Sequence, residues 1–251
     1  MTQVSPTSPE SDVLAQDTMM AVAMARLLRD GERVFHGVAS PLPMVAILLA
    51  QRLHAPNLVY INITGGINAR PESLPQTTVD PRLTHGSHSI FKLADLFDMS
   101  ARGDLDTAFL GGVQIDAEGR INMSVIGPYD HPKVRLPGGA GSAAILPTAK
   151  RTILWRTRHD PRTFVEKLSF VTAGGKVDRV VTPLCIFVKR ADGRLHLESI
   201  HPYTSAEEVK KQTGFPVETG GVPVTPPPTA EELAALAEVD PQRVRLVEFK
   251  G

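Results

Sequence analysis

Cysteine is nearly absent. Cys185 is the single one in 251 residues, which excludes an intrachain disulfide framework and any multi-cysteine zinc site and fits a reducing cytoplasm. Net charge is absent too. The 27 basic residues balance 27 acidic ones, so no strong field draws the chain to nucleic acid or to an anionic membrane, and neither is an expected partner. No apolar run reaches the roughly 18 residues that a membrane-spanning helix needs. The stretch Met1–Glu10 is polar, rich in Ser, Thr and Pro, and lacks the apolar core of a secretory signal, so a disordered start over residues 1–13 is expected. There is no internal repeat.

What is there suffices for a core that needs neither metal nor disulfide. Leu14 to Leu28 carries apolar residues at helical spacing, and Gly31 beyond it suits a left-handed backbone. Arg33 to Val38 reads as a strand, Ser40-Pro41 as a turn, Leu42 to Leu53 as a helix and Asn57 to Thr64 as a second strand stopped at Gly65-Gly66. Strand, helix and strand in succession predict a parallel sheet, hence an α/β fold. Residues 68–88, rich in Pro, Arg, Thr and Ser, predict a long loop. Further strands are expected over Thr107 to Gly111, Gln114 to Asp116, Ile121 to Val125 and Thr152 to Thr157. Val177 to Lys189 pairs with Leu195 to Ser199 through an Asp192-Gly193 turn. Ser205-Ala206-Glu207-Glu208 and Thr229-Ala230-Glu231-Glu232 each read as a capping box opening a helix. Between them the chain turns proline-rich (Pro223, Pro226, Pro227, Pro228). The predicted organisation is one domain over residues 14–216, then a Pro-rich linker and docking helix over 217–251.

Candidate chemistry concentrates in residues 109–143. Gly138-Gly139-Ala140-Gly141-Ser142 is a turn whose backbone can approach a ligand closely, and such turns aim N–H groups at an anionic oxygen. On the pentapeptide alone an ordinary flexible turn is the commoner explanation. A second candidate is Ile63-Thr64-Gly65, at the end of a strand where an open α/β sheet binds its ligand. Gln114, Asn122, Ser124, Tyr129, Asp130 and His131 are polar residues of the same stretch. Each serves equally well as a structural hydrogen-bonder. His131 precedes a proline, which holds it extended, and is the candidate acid or substrate ligand. His85 and His88 lack the further ligands that a metal site needs, so no metal is expected.

The run Gly111-Gly112-Val113-Gln114-Ile115-Asp116-Ala117-Glu118-Gly119-Arg120-Ile121-Asn122, followed by the glycine-rich loop, resembles the beta subunit of family I coenzyme A transferases of the glutaconate type. The resemblance runs over about residues 14–216, including Val177 to Leu184 and Thr213 to Val217. It implies an open, mainly parallel sheet flanked by helices, a separate alpha subunit in an α2β2 assembly, an active site between subunits, and an acyl-CoA substrate. No resident cofactor is implied, since coenzyme A arrives as part of the substrate. In the loop Gly138-Gly139-Ala140-Gly141, Gly138 and Gly141 match the family's oxyanion loop, whereas Ala140 stands where glycine is usual. Gly37, Ser40 and Pro41 resemble its first strand-loop near the CoA site.

At Ile63 the family keeps the glutamate that attacks the acyl-CoA, and isoleucine has no lone pair for that role. Glu72 is the nearest substitute carboxylate, beyond the turn in an irregular loop. Ping-pong CoA transfer is therefore not expected. An acyl-CoA site without the nucleophile can still stabilise an enolate, and removal of a like charge would let a substrate carboxylate sit where the glutamate sat. The resemblance then implies the decarboxylating branch, which converts 3-methylglutaconyl-CoA on the route to isovaleryl-CoA. The alternatives are the steroid ring-opening CoA hydrolase branch, a glutaconate-type transferase with a relocated carboxylate, and a non-catalytic scaffold subunit in which Ile63 only fills core.

Overall fold

The computed structural model describes residues 16–249. The expected disordered start and the first residues of the first helix lie outside that range. Helix α1 spans Gln16–Arg26, and Gly31 does take a left-handed φ of 76°. Strand β1 (Arg33–His36) leads through helix α2 (Pro41–Leu53) to β2 (Val59–Ile61), and β1 and β2 pair in parallel as the sequence pattern requires. The predicted second strand is shorter than Asn57 to Thr64. Ile63 and Thr64 belong to the turn behind it, where Asn62 bonds Gly66 and Thr64 through its side chain.

Nine strands form one sheet. With β3 (Gly66–Ile67), β4 (Ser89–Ile90), β5 (Thr107–Gly111), β10 (Arg151–Trp155), β11 (Val177–Val181), β12 (Cys185–Lys189) and β13 (Leu195–Ile200), the order is β13-β12-β11-β10-β5-β1-β2-β3-β4. The centre, β11-β10-β5-β1-β2, is parallel throughout. Both margins are antiparallel. The predicted strand from Val177 to Lys189 is in fact two strands, because Pro183 has no N–H to offer a ladder and a turn at Thr182 to Leu184 reverses the chain. Small ribbons β6–β7 (Gln114–Ile115, Ile121–Asn122) and β8–β9 (Val125–Ile126, Val134–Arg135) stand apart from the sheet.

Successive residues of the central strands feed opposite faces, and both faces are buried. Val34, Tyr60, Phe109, Ile153 and Val181 pack against α1, α2 and the C-terminal helix. Phe35, Ile61, Ala108, Leu110, Leu154 and Val180 pack on the other side, against two helices that the sequence pattern did not reveal, α3 (Leu93–Ala101) and α4 (Ser142–Thr148), and against α5 (Ala206–Gln212). Helix α4 is hard to read because it is short and carries Pro147.

The second capping box forms completely at Thr229, opening α6 (Ala230–Val239). At Ser205 only the hydroxyl half forms, since the Glu208 carboxylate accepts from Gln212 instead. Arg26 fastens the proline-rich stretch to α1 by donating to the Pro226 and Pro227 carbonyls and to both oxygens of Glu232. Ala235, Leu236 and Val244 complete the core beside α1 and α2. No helix among the described residues is long and apolar enough to cross a membrane.

Candidate active site

The strand order reverses at β1. The chain passes from β1 outward to β2 and later returns to lay β5 on the other side of β1, and in open α/β sheets such a switch point, at the carboxyl ends of the strands, is where ligands bind. A cleft of about 850 Å³ lies there. Its walls are Gly37 to Ser40 after β1, Ile63 and Thr64 after β2, Leu110 to Gly112 at the end of β5, Trp155 and Arg156 at the end of β10, and the loop Pro137 to Ser142. Phe97 of α3 and Met123 close it. The two sequence candidates that lie far apart in the chain, the glycine-rich loop and Ile63-Thr64, therefore share one cavity with Gly37 and Ser40.

The loop after β1 is held from below by a buried chain of side chains. Ser40 donates to the Gly37 carbonyl, as does Thr78 at 3.1 Å. His36 Nδ1 lies 3.0 Å from Ser40 Oγ, and His36 Nε2 lies 2.8 Å from the Tyr60 hydroxyl. With the Ser40 proton given to Gly37, His36 donates from Nδ1 and accepts Tyr60 at Nε2, so it is neutral. Burial acts in the same sense, pushing the imidazole down to about 4 and the Tyr60 phenol well above its usual value. A trans peptide points its C=O and N–H in opposite directions. Drawing the Gly37 carbonyl inward thus turns the Val38 N–H toward the cleft.

The glycine-rich loop is held in a similar way. Gly138, at φ 95°, donates its N–H to the Met123 carbonyl at 2.7 Å. Thr172 accepts from the Met123 N–H at 2.8 Å and lies 2.7 Å from Ser124 Oγ. The N–H groups of Gly139, Ala140 and Gly141 meet no acceptor among the described residues, which leaves them available to an oxyanion. Four non-glycine residues of the described chain have positive φ, and two of them, Ala39 (48°) and Ala140 (42°), stand on the cleft wall. Each such alanine costs about 1–2 kcal/mol. Strain of this kind collects at ligand sites.

The other candidates lie elsewhere. Asn122 and Gln114 are buried and bond each other at 2.8 Å, while Asn122 also donates to the Val125 carbonyl and accepts from Ser124 N. They shape the β6–β7 ribbon rather than the cavity. Gly65 lies outside the cavity lining, and a Cβ there would run into the Phe91 carbonyl. His131 is exposed at the tip of the β8–β9 ribbon, near Tyr129, which stacks on Phe170 with ring centres 5.2 Å apart. Glu72 lines a different cavity with Arg70 and His88. No group of His, Cys, Asp and Glu among the described residues could hold a metal. Cys185 is buried, its thiol pushed up to about 12 by burial, and so is a poor nucleophile. Sequence reasoning missed Val38, Ala39, Phe97, Met123, Trp155 and Arg156. A charge directly after the apolar strand ending at Trp155 is the signal that could have found the last.

Comparisons with known proteins fit this geometry. A family model described as Coenzyme A transferase matches residues 17–212. Among curated proteins, the chain is 34% identical over 241 residues to the beta subunit of the 3-oxoadipate CoA-transferase of Pseudomonas knackmussii, covering 88% of this chain and 92% of that protein. The corresponding polypeptide of the glutaconate CoA-transferase of Acidaminococcus fermentans is 28% identical over 247 residues, covering 89% and 91%. Among solved structures, a chain of the decarboxylase AibA/AibB superposes with a TM-score of 0.87 at 31% identity, over 94% of this chain and 98% of that one. The chain belongs to the coenzyme A transferase family.

Proposed function

We propose that this chain is the beta subunit of a heteromeric enzyme of CoA-transferase ancestry that decarboxylates a glutaconyl-type CoA thioester, converting 3-methylglutaconyl-CoA to 3,3-dimethylacrylyl-CoA. The observation that carries this reading is Ile63. It stands on the cleft wall where the resemblance expects the attacking glutamate, and among the residues that line the cavity no carboxylate takes its place. A covalent acyl or CoA intermediate needs such a nucleophile; loss of CO2 does not. In that reaction the bond to the distal carboxylate breaks and its electron pair moves through the conjugated system onto the thioester oxygen. CO2 leaves, and a proton from solvent or the partner subunit quenches the dienolate. The N–H groups of residues 139–141, which meet no acceptor among the described residues, and that of Val38 are the electrostatic support that the developing oxyanion requires. One donor of this kind is worth about 2.7–4 kcal/mol.

The likeness to AibA/AibB, called a decarboxylase, supports the reading. An alpha subunit is part of it. Val38, Val79 and Leu93 are exposed apolar residues at the cleft mouth, a surface that a second chain would cover in an assembly such as α2β2. The product needs only reduction of its double bond to give isovaleryl-CoA.

The test is to co-express the chain with its alpha subunit and incubate the complex with 3-methylglutaconyl-CoA, following acyl-CoA mass with and without acetate. Loss of one CO2 that does not depend on acetate is expected. CoA moved to acetate would return the chain to the transferases, a hydrated ring-opened product from a steroid thioester would assign it to the hydrolases, and an inert complex would make it a scaffold.

A further inference from the structure

We propose that Arg156 and the indole N–H of Trp155 form an anion subsite at one end of the cleft that holds the distal carboxylate of the acyl group, so that the enzyme selects CoA thioesters of dicarboxylic acids. The inference rests on the acyl-CoA reading above and is independent of what then happens to the thioester.

Arg156 is the only ionisable residue among the described residues that line the cavity; the rest of that wall is glycine, proline, small hydroxyl residues and apolar side chains. Its Nε is buried and meets no acceptor among the described residues, and no carboxylate of theirs comes within ion-pair distance of the guanidinium. Trp155, next to it on the same wall, has its indole nitrogen buried and unpartnered as well. Both side chains can only donate. Two adjacent buried donors, one of them a cation, in an apolar cavity are costly unless something anionic arrives.

The nearby carboxyls do not fill that need. Asp160 accepts from its own loop, the N–H groups of Arg162 and Thr163. Glu248 accepts from Leu42 N at the start of α2. Burial pushes its carboxyl up to about 8, which leaves it largely protonated at neutral pH. Burial also lowers the Arg156 value, with Arg158 adding to that effect, yet a guanidinium keeps its proton. Asp160 and Glu248 favour the cation only from a distance, and neither pairs with it directly.

Position across the sheet fixes which end of the substrate this is. Arg156 follows β10 and Ile63 follows β2, with β5 and β1 between them, so about 14 Å of sheet separates the two. Val38, which follows β1, stands between these ends. A thioester seated there directs its acyl chain toward Arg156, across a gap that a five-carbon diacid and an arginine side chain bridge together. In this proposal the carboxylate sits opposite Ile63 rather than in the glutamate's place. A cation on the departing carboxylate opposes loss of CO2, so Arg156 acts in binding. Its removal should raise KM more than it lowers kcat.

The experiment measures binding by calorimetry to the assembled complex, using glutaryl-CoA, butyryl-CoA and free CoA. Glutaryl-CoA carries the second carboxylate but lacks the conjugation that decarboxylation needs. Arg156→Met is expected to weaken glutaryl-CoA by roughly tenfold to a hundredfold, as loss of a charge-assisted pair does, and to leave the other two within about twofold. Arg156→Lys should recover part of the loss. Trp155→Phe, which removes only the donor, should weaken glutaryl-CoA alone, and it carries the test if the Arg156 variants fail to assemble. Equal weakening of all three ligands would overturn the proposal in favour of contact with CoA phosphates. No weakening of any would overturn it in favour of a partner carboxylate on Arg156. Selective loss of glutaryl-CoA in an enzyme that does not decarboxylate 3-methylglutaconyl-CoA would keep the subsite and discard the decarboxylase.

Discussion

In the proposed reading a single side chain, Ile63 in place of a glutamate, separates two chemistries on this scaffold. Ile63 is partly buried against the core beneath the sheet and presents only hydrocarbon to the cleft. Replacing it with glutamate sets a negative charge beside the thioester oxygen at the moment that oxygen gains electrons. Two unit charges about 4 Å apart at an effective dielectric near 20 repel by about 4 kcal/mol, and solvent in an open cleft reduces that. Ile63→Glu should therefore slow CO2 release at saturating substrate at least about tenfold; an unchanged or faster rate would remove the charge argument. Swapping the glycine loop for a bulky residue is a less clean probe than the sequence suggests. A Cβ on Gly139 already presses within 2.7 Å of Thr172 Cγ2, so Gly139→Trp displaces the support of the loop as well as filling the cleft. Gly138→Ala is better, because its Cβ meets nothing within 4 Å and only the φ of 95° is penalised. It should cost about 1–2 kcal/mol of stability and lower kcat in an assembled complex.

Among the elements, the β6–β7 ribbon explains why the most recognisable stretch of the sequence is not itself the site. Asp116 accepts from Glu118 N and Arg120 N and pairs with Arg120 at 2.7 Å, closing the turn, while Gln114 and Asn122 tie the two strands together. This ribbon delivers Met123 to the cleft, and the Met123 carbonyl anchors Gly138. The motif is thus a brace for the loop that lines the cleft. Thr172 completes the brace, so Thr172→Val should leave Met123 N and Ser124 Oγ without their partner at a cost of about 1–3 kcal/mol. Because the loop that carries the free N–H groups is loosened, kcat should fall more than KM rises; steady-state kinetics with stability checked by thermal melting separates the two effects. Much of the fold was legible because parallel strands buried on both faces leave continuous apolar runs, as at Val34-Phe35 and Ile153-Leu154. The turn at Pro183 and the short helices α3 and α4 were not, since local pattern carries little signal over seven to nine residues. The loops of the site were legible by their glycines, whereas Trp155 and Arg156 acquire meaning only when β10 is placed beside β5.

At the scale of the whole molecule, three neutral histidines are built into the interior. Burial pushes His36 and His201 down to about 4 and His159 to about 3. His159 and His201 fix the turn between β11 and β12 through Thr182, and His159 also reaches Thr213 at the end of α5 at 3.0 Å. An unfolded histidine titrates near 6.5. The stabilisation from these depressed values is therefore present above pH 6.5 and is lost as pH falls toward 4. Glu248 works in the opposite sense. Its folded value of about 8 lies above its unfolded one, so its contribution is complete below about pH 4.5 and is lost as pH rises through 8. Between pH 5 and 6 the unfolded chain takes up to three protons more at the histidines and releases one at Glu248. Stability should then fall by roughly 2–3 kcal/mol for each unit of acidification. Near pH 7 the residual protonation of the unfolded histidines balances Glu248, and above it Glu248 prevails, so stability should decline by less than about 1 kcal/mol per unit toward pH 8. The expected melting temperature of the assembled protein thus peaks near pH 7, with a steep acid limb and a shallow alkaline one. Glu248→Gln separates the contributions: it should flatten the alkaline limb and steepen the acid one, whereas an acid limb already flat in the native protein would mean that the buried histidines are not held neutral by the fold.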